Sequence, residues 1–150
     1  MTRPPLPKDR KEIRELLNKA FLPSSYESKL REITVDSSEL YFERLVEIES
    51  KIVAYILYTI ATNGASEIGY HLAPVAVHPD FQHQGIGSSL IRETLIMLQD
   101  ESIFVLGDPK YYERFGFSET ISAQCPFDDR NQHFRALRWS DDSDPFSIGY

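Results

Sequence analysis

Residues 72–91 have the sequence Leu72-Ala73-Pro74-Val75-Ala76-Val77-His78-Pro79-Asp80-Phe81-Gln82-His83-Gln84-Gly85-Ile86-Gly87-Ser88-Ser89-Leu90-Ile91. The stretch begins as an apolar strand, breaks at His78-Pro79-Asp80 and passes through a glycine-containing turn. Apolar residues then recur at helical spacing as far as Leu98, which predicts an amphipathic helix. Such a helix begins with unpaired N–H groups and the positive end of its dipole, and glycines let a phosphate approach the backbone. The stretch therefore predicts a strand–turn–helix cradle for a phosphate.

Two common phosphate-binding motifs do not fit this turn. A Walker P-loop needs a Lys and a Ser or Thr after its last glycine, whereas Ser88 and Ser89 follow Gly87. A Rossmann fingerprint needs a third glycine three positions after Gly87, where Leu90 stands. Both motifs are excluded.

A third phosphate-binding signature does fit. Gln82-His83-Gln84-Gly85-Ile86-Gly87 resembles the Q/R-x-x-G-x-G/A signature of the GNAT superfamily of N-acetyltransferases, in which the turn amides hold the pyrophosphate of acetyl-coenzyme A (acetyl-CoA). The resemblance implies that acetyl-CoA is the acetyl donor and that strand amides before the turn bind its pantetheine arm and thioester. The cofactor-binding residues that it implies are Val75, Ala76, Val77, Gln82, His83, Gln84, Gly85, Ile86, Gly87, Ser88 and Tyr112.

A second signature lies further along the chain. Tyr111-Tyr112-Glu113-Arg114-Phe115-Gly116-Phe117 resembles the Y-x-x-x-G-F element that closes the cofactor site of the superfamily. With Val105-Leu106-Gly107-Asp108-Pro109 before it, this stretch is particularly similar to the YhbS-like branch of predicted N-acetyltransferases. The resemblance implies that Tyr112 protonates the departing thiolate. A packing role for Tyr112 is the alternative, and Tyr111 is an equal candidate by chemistry alone.

The residue that takes the proton of the acceptor is less sharply indicated. Counted back from Gly85, His71 falls where the histone-modifying branch of the superfamily carries its basic glutamate, and a histidine titrates near neutral pH. The YhbS-like branch often has a small residue there. Glu67 and Tyr70 on the same strand, or a water relay, remain alternatives to His71.

The order of predicted elements agrees with the GNAT fold. A capping-box pattern at Asp9 and Glu12 predicts the start of the first helix, and Pro4, Pro5 and Pro7 make a first strand hard to place. Helices are expected over 9–22, 26–33, 86–98 and 109–116, and strands over 45–49, 51–60, 67–77, 102–106 and 133–139. The strands over 45–49 and 51–60 are expected to form a hairpin, and the strand over 102–106 is placed for a parallel crossover pairing. This is a mixed α/β (α+β) pattern. The resemblance implies a mostly antiparallel sheet with splayed central parallel strands, flanked by helices.

The amino-acid composition limits the kinds of molecule that the protein is expected to bind. The formal net charge of −7 argues against nucleic acid or an anionic membrane as the main partner and suits an amine acceptor. The single cysteine, Cys125, excludes an intrachain disulfide and favours a cytoplasmic protein; its side chain is expected to be buried or half-buried. No His or Cys pair has zinc-ligand spacing, so no metal is expected. The acidic residues Asp141, Asp142 and Asp144 are expected to form a solvated loop.

These observations favour a single N-acetyltransferase domain over residues 1–150 that acetylates a small-molecule or peptide amine by direct attack in a ternary complex. An acetyltransferase-fold module that binds coenzyme A or a protein without turnover is the alternative. A plain interaction domain, in which the glycines serve only the turn, would leave two fold-correct signatures unexplained. The identity of the acceptor and a homodimeric state are left open.

Overall fold

A computed structural model describes residues 2–37 and 39–150, which form two compact units. The first unit contains the residues up to Tyr58 together with Pro74–Gln99, and the second contains Thr59–Ala73 together with Asp100–Tyr150. Two strands, β3 and β4, contribute residues to both units. The expectation of one domain over 1–150, which includes Met1 and Ser38 outside the described residues, stays a prediction.

The predicted helices and strands are present in the predicted order, together with short strands that were not predicted. The helices are α1 (Arg10–Ala20), α2 (Tyr26–Asp36), α3 (Ile86–Met97) and α4 (Pro109–Glu113). The strands are β1 (Thr2–Arg3), β2 (Tyr41–Ile48), β3 (Lys51–Asn63), β4 (Ser66–Val77), β5 (Ile103–Leu106), β6 (Ala123–Gln124), β7 (Phe134–Leu137) and β8 (Phe146–Ser147). No helix in the described ranges is long and apolar enough to cross a membrane.

In the first unit, β1 is the first strand that the prolines made hard to place from the sequence. It precedes the prolines and pairs antiparallel with β2 through Thr2↔Val46 and Arg3↔Leu45. The turn between β2 and β3 has positive φ at Glu49 and Ser50, the conformation of tight hairpin turns, so the predicted hairpin is confirmed.

The core of the first unit forms where the apolar face of α1 packs on the strands. Its buried members are Ile13, Leu16, Leu17, Leu45, Ile52, Tyr55, Leu57 and Ala76. The predicted capping box is wrong, because the Asp9 side chain makes no cap hydrogen bond to α1. Asp9 instead accepts from Leu6 N (2.7 Å) and pairs with Arg3, while Glu12 accepts from Ile52 N (2.7 Å). Both carboxylates therefore join α1 to neighbouring segments rather than to its own first turn.

The second unit contains the parallel pair that the resemblance implies. Strand β4 pairs parallel with β5 through Tyr70↔Ile103 and His71↔Phe104. Strand β5 also pairs antiparallel with β7 from Ile103↔Leu137 to Leu106↔Phe134. The parallel pairing thus ends at His71, and β5 continues along β7 as far as Leu106.

Buried side chains from several segments form the core of the second unit: Ala61, Phe104, Ala123, Cys125, Phe134, Ala136 and Ile148. The expectation that Cys125 is buried is confirmed. Asp141 does more than face solvent, since it accepts from Thr120 Oγ1 (2.7 Å) and from both N (3.0 Å) and Oγ (2.6 Å) of Ser122. These hydrogen bonds hold the pKa of Asp141 well below its usual range and tie the acidic segment to the loop before β6.

Candidate active site

The cofactor turn, Gln82–Ser88, lies in the first unit between β4 and α3. The Gln82 side-chain amide donates to Val77 O (3.1 Å), which holds the start of the turn against the end of β4. His83 has a φ of 64°. Gly85, the N-cap residue of α3, has a φ of 81° and a ψ of 5°, in the left-handed region that favours glycine. This backbone path begins α3 directly after Gly85.

The start of α3 is suited to an anion. Ser89 N donates to Gly85 O (3.0 Å), which places the first turn of α3 directly after Gly85. Gly85 supplies no side-chain cap, and Gln82–Gly85 are exposed. Exposed N–H groups at the positive end of a helix dipole are a phosphate-binding arrangement. The geometry of the turn fits the role that the sequence predicts for it.

The strand residues before the turn alternate in burial. Ala76 is buried in the core of the first unit, whereas Val75 and Val77 are half-buried. The Ala76 side chain is therefore part of the core. The assignment of the three backbone amides to the cofactor stays a prediction.

His78, at the end of β4, is a residue to which the sequence analysis gave no role. It is buried, and its Nδ1 accepts from Asp80 N (3.1 Å), so the ring proton lies on Nε2. That Nε2 has no hydrogen-bond partner among the described residues. Burial and the neighbouring Lys51 lower the pKa of His78, which favours the neutral ring. A neutral His78 caps the sharp bend at Pro79–Phe81 that leads into the cofactor turn.

His71 lies on β4 in the second unit and is only 3% exposed. Its Nε2 lies 2.8 Å from Gly149 O. Because a carbonyl oxygen only accepts, Nε2 carries the ring proton and Nδ1 carries the lone pair. Burial lowers the pKa of His71 from 6.5 to about 4, although the bond to Gly149 opposes this shift. His71 is therefore neutral at neutral pH, with Nδ1 as its basic atom.

Tyr112 lies on α4, also in the second unit. Asp108 caps this short helix by accepting from Lys110 N (3.1 Å). The Tyr112 ring packs edge-on against Phe117 at a centroid distance of 5.8 Å and lies over Gly107, where a Cβ would come within 2.7 Å of it. Burial raises the pKa of Tyr112 to about 12, so its hydroxyl stays protonated at neutral pH.

The predicted site residues thus form two groups, one in each unit. The cofactor turn and Val75–Val77 lie in the first unit, and His71 and Tyr112 lie in the second. Of the alternatives to His71, Glu67 is exposed and Tyr70 is half-buried, with its pKa raised by burial. The catalytic roles of these residues stay predictions. Among residues 2–37 and 39–150, no cluster of His, Cys, Asp and Glu has the arrangement of a metal site.

Sequence reasoning missed three residues around the second group. Gly107 gave a local signal, because a glycine at a strand–helix junction often marks a close approach. Gly149 and Tyr150, which contact His71, gave no signal because they are distant from it along the chain.

The chain has relatives among known proteins. The profile of the acetyltransferase (GNAT) domain matches residues 37–119. The uncharacterized N-acetyltransferase YjhQ of Escherichia coli is 36% identical over 116 residues, which cover 73% of this chain and 64% of YjhQ. The uncharacterized N-acetyltransferase YhbS of E. coli is 27% identical over 101 residues, which cover 63% of this chain and 60% of YhbS. The matched region therefore spans less than two thirds of either relative.

Two solved structures share the fold. A GNAT family acetyltransferase from Brucella melitensis in complex with acetyl-CoA aligns with a TM-score of 0.82 and 29% identity, covering 100% of this chain and 94% of that protein. E. coli YhbS in complex with coenzyme A aligns with a TM-score of 0.88 and 23% identity, covering 100% and 88%. The predicted mixed, mostly antiparallel sheet flanked by helices is confirmed.

Proposed function

The chain belongs to the family of acetyltransferase (GNAT) domains, and on this premise we propose that it acetylates a primary amine with acetyl-CoA, by direct attack in a ternary complex. The observation that carries the proposal is the cofactor turn, where left-handed Gly85 opens α3 without a side-chain cap and the amides that follow lie at the positive end of the helix dipole. The bound acetyl-CoA of the Brucella relative supports the identity of the donor. The N-acetyltransferase names of YjhQ and YhbS support an amine as the acceptor.

Binding of the donor is assigned to backbone groups. The amides of Ile86, Gly87 and Ser88 are proposed to donate to the pyrophosphate, since these are the first residues of α3. The amides of Val75–Val77 are proposed to hold the pantetheine arm. Acetyl-CoA supplies the activated acetyl group, and the chain supplies its orientation.

Removal of the acceptor proton is assigned to His71. An alkyl amine with a pKa of about 10.4 is mostly protonated at neutral pH. A base with a pKa of about 4 cannot hold the proton of such an ammonium group. The acceptor is therefore expected to react from its neutral fraction. Nδ1 of His71 takes the proton of the nitrogen as the C–S bond breaks, because the nitrogen is then becoming an amide nitrogen and its extra proton is strongly acidic.

Protonation of the leaving sulfur is assigned to Tyr112. Its pKa of about 12 keeps the phenol protonated over the whole neutral range, so a donor is present at every turnover. The close fit of the ring over Gly107 and against Phe117 fixes the direction of the hydroxyl. A phenol fixed in this way can donate its proton as the thiolate departs.

The experiment that tests the function is a panel of small amines, antibiotics and peptides assayed for thiol release that depends on acetyl-CoA. With one class of amine, acetyl-CoA is expected to release its free thiol. Mass spectrometry should then show that this amine has gained an acetyl group. Binding of acetyl-CoA without release for any amine would instead indicate a silent module. Failure to bind acetyl-CoA at all would remove the role assigned to the cofactor turn.

A further inference from the structure

The segment Phe146–Tyr150, here called the strap, is held tightly in the second unit. Strand β8 pairs parallel with β6, and Ile148 N donates to Gln124 O (2.8 Å). Gly149 and Thr62 exchange both backbone hydrogen bonds, Gly149 N to Thr62 O (2.8 Å) and Thr62 N to Gly149 O (3.2 Å). A Cβ at position 149 would collide with Thr62 Oγ1, so the Thr62 side chain would have to move to admit one.

The strap reaches His71 through two adjacent residues. Gly149 O is 2.8 Å from Nε2, which sets the tautomer. The ring of Tyr150 stacks on the imidazole with centroids 3.8 Å apart and planes inclined by 6°. The ring of Phe104 lies 6.2 Å from the imidazole at an inclination of 52°. His71 is thus confined by a carbonyl group and two aromatic rings.

Tyr150 is itself fixed at its other end. Its hydroxyl lies 3.3 Å from Sγ of Cys125, and Phe127 contacts its ring at 5.2 Å. Burial and the contact with Cys125 raise the pKa of Tyr150, so the hydroxyl is protonated at neutral pH. Tyr150 therefore presents the ring of an uncharged phenol to the imidazole.

We propose that the strap positions His71 for acid–base work, with Gly149 selecting the tautomer and Tyr150 fixing the plane of the ring. Neither residue touches the reacting atoms, so both are positioning residues. The tautomer leaves Nδ1, and not Nε2, as the proton acceptor. The stacked Tyr150 also excludes water from one face of the imidazole, which disfavours its protonated form. This inference rests on the proposed function, in which His71 is the base.

The test is the titration of the His71 ring in the full chain, measured by NMR on protein with ¹⁵N-labelled histidine. The His71 signals are assigned from their loss in His71→Gln. We expect the Nε2–H tautomer in the unmodified chain and in Tyr150→Phe, which keeps the stacked ring. In Tyr150→Ala the pKa of His71 should rise by about one unit or more toward 6.5, the ordinary value. Phe127→Ala truncates a largely exposed ring that contacts Tyr150, and as the matched control it should shift the pKa of His71 far less than Tyr150→Ala does.

The same variants separate positioning from simple support. If the strap positions the base, the acidic limb of the kcat/KM profile in Tyr150→Ala moves together with the pKa of His71. An unchanged titration of His71 in Tyr150→Ala, or an equal shift in Phe127→Ala, would overturn the proposal even if acetyl transfer is observed. If the pKa of His71 shifts in Tyr150→Ala but the acidic limb of its kcat/KM profile does not move, the link between the strap and the reaction is overturned. Normal titration shifts with no acetylation of any amine would instead count against the proposed function.

Discussion

The proposed donor site at the cofactor turn and the proposed base, His71, depend on the rest of the chain in opposite ways. The turn is seven consecutive residues whose chemistry comes from backbone N–H groups and from one left-handed glycine, Gly85. His71 depends on a residue 78 positions away for its tautomer and on Tyr150 for its stacked face. A backbone site can be exposed and local, whereas a side chain with a shifted pKa needs long-range packing.

Tyr112 offers the strongest test of the side-chain half of this comparison. Tyr112→Phe removes only the hydroxyl and keeps the ring over Gly107, so the fold should be retained. Turnover with an accepted amine is expected to fall about a hundredfold or more, the range of a general acid. The matched substitution of the neighbouring residue, Tyr111→Phe, should lower turnover far less in the same steady-state assay. Equal behaviour of the two variants would make Tyr112 a packing residue.

The buried state of His71 predicts a specific loss of stability in acid. Its folded pKa of about 4 is below the ordinary 6.5, so between these values the unfolded chain binds a proton that the folded chain does not. The stabilisation that comes from a neutral, buried His71 is fully present above pH 6.5. As the pH falls to 4 this stabilisation is lost, and the free energy of unfolding decreases by about 3 kcal/mol.

Urea unfolding from pH 7.5 to 4 measures this effect. His71→Gln cannot titrate and should show a correspondingly shallower dependence of the free energy of unfolding on pH. Parallel curves for the two proteins would contradict the burial of a neutral His71.

A substitution at Gly87 tests whether the backbone of the cofactor turn binds acetyl-CoA. In Gly87→Val a side chain occupies the space proposed for the pyrophosphate, and the affinity for acetyl-CoA should fall about tenfold or more, the equivalent of one charge-assisted hydrogen bond. Ser89→Val places the same side chain at a position whose N–H already bonds to Gly85, so it should bind nearly normally. Calorimetry that finds equal affinities for both variants would remove the turn from the binding site.

Gly85 gives the smallest expected effect and sharpens the distinction between conformation and space. An added Cβ at Gly85 would have nothing within 4 Å, but the φ of 81° disfavours any other residue. Gly85→Ala should therefore destabilise the fold by about 1 kcal/mol through its backbone alone. Thermal unfolding without ligand measures this cost, and an unchanged melting temperature would show that the turn tolerates a side chain.

The outcomes for particular residues show where sequence reasoning stops. Each helix, the β2–β3 hairpin and the parallel pairing of β5 were predicted, because periodicity, turn residues and crossover rules act over short distances. The capping box at Asp9 failed, because Leu6 N and Arg3 take up its carboxylate. Strand β1 was missed because two residues paired by register leave almost no pattern.

The sequence by itself determined the family and the position of the cofactor turn, since a glycine-bearing turn before an amphipathic helix carries its chemistry in consecutive residues. It also singled out His71 and Tyr112 by their places in motifs. Only the tertiary structure decided the protonation of these two side chains. The pKa of a side chain depends on solvent exclusion and on its hydrogen-bond partners, which for His71 come from the strap and for Tyr112 from the packing around Gly107.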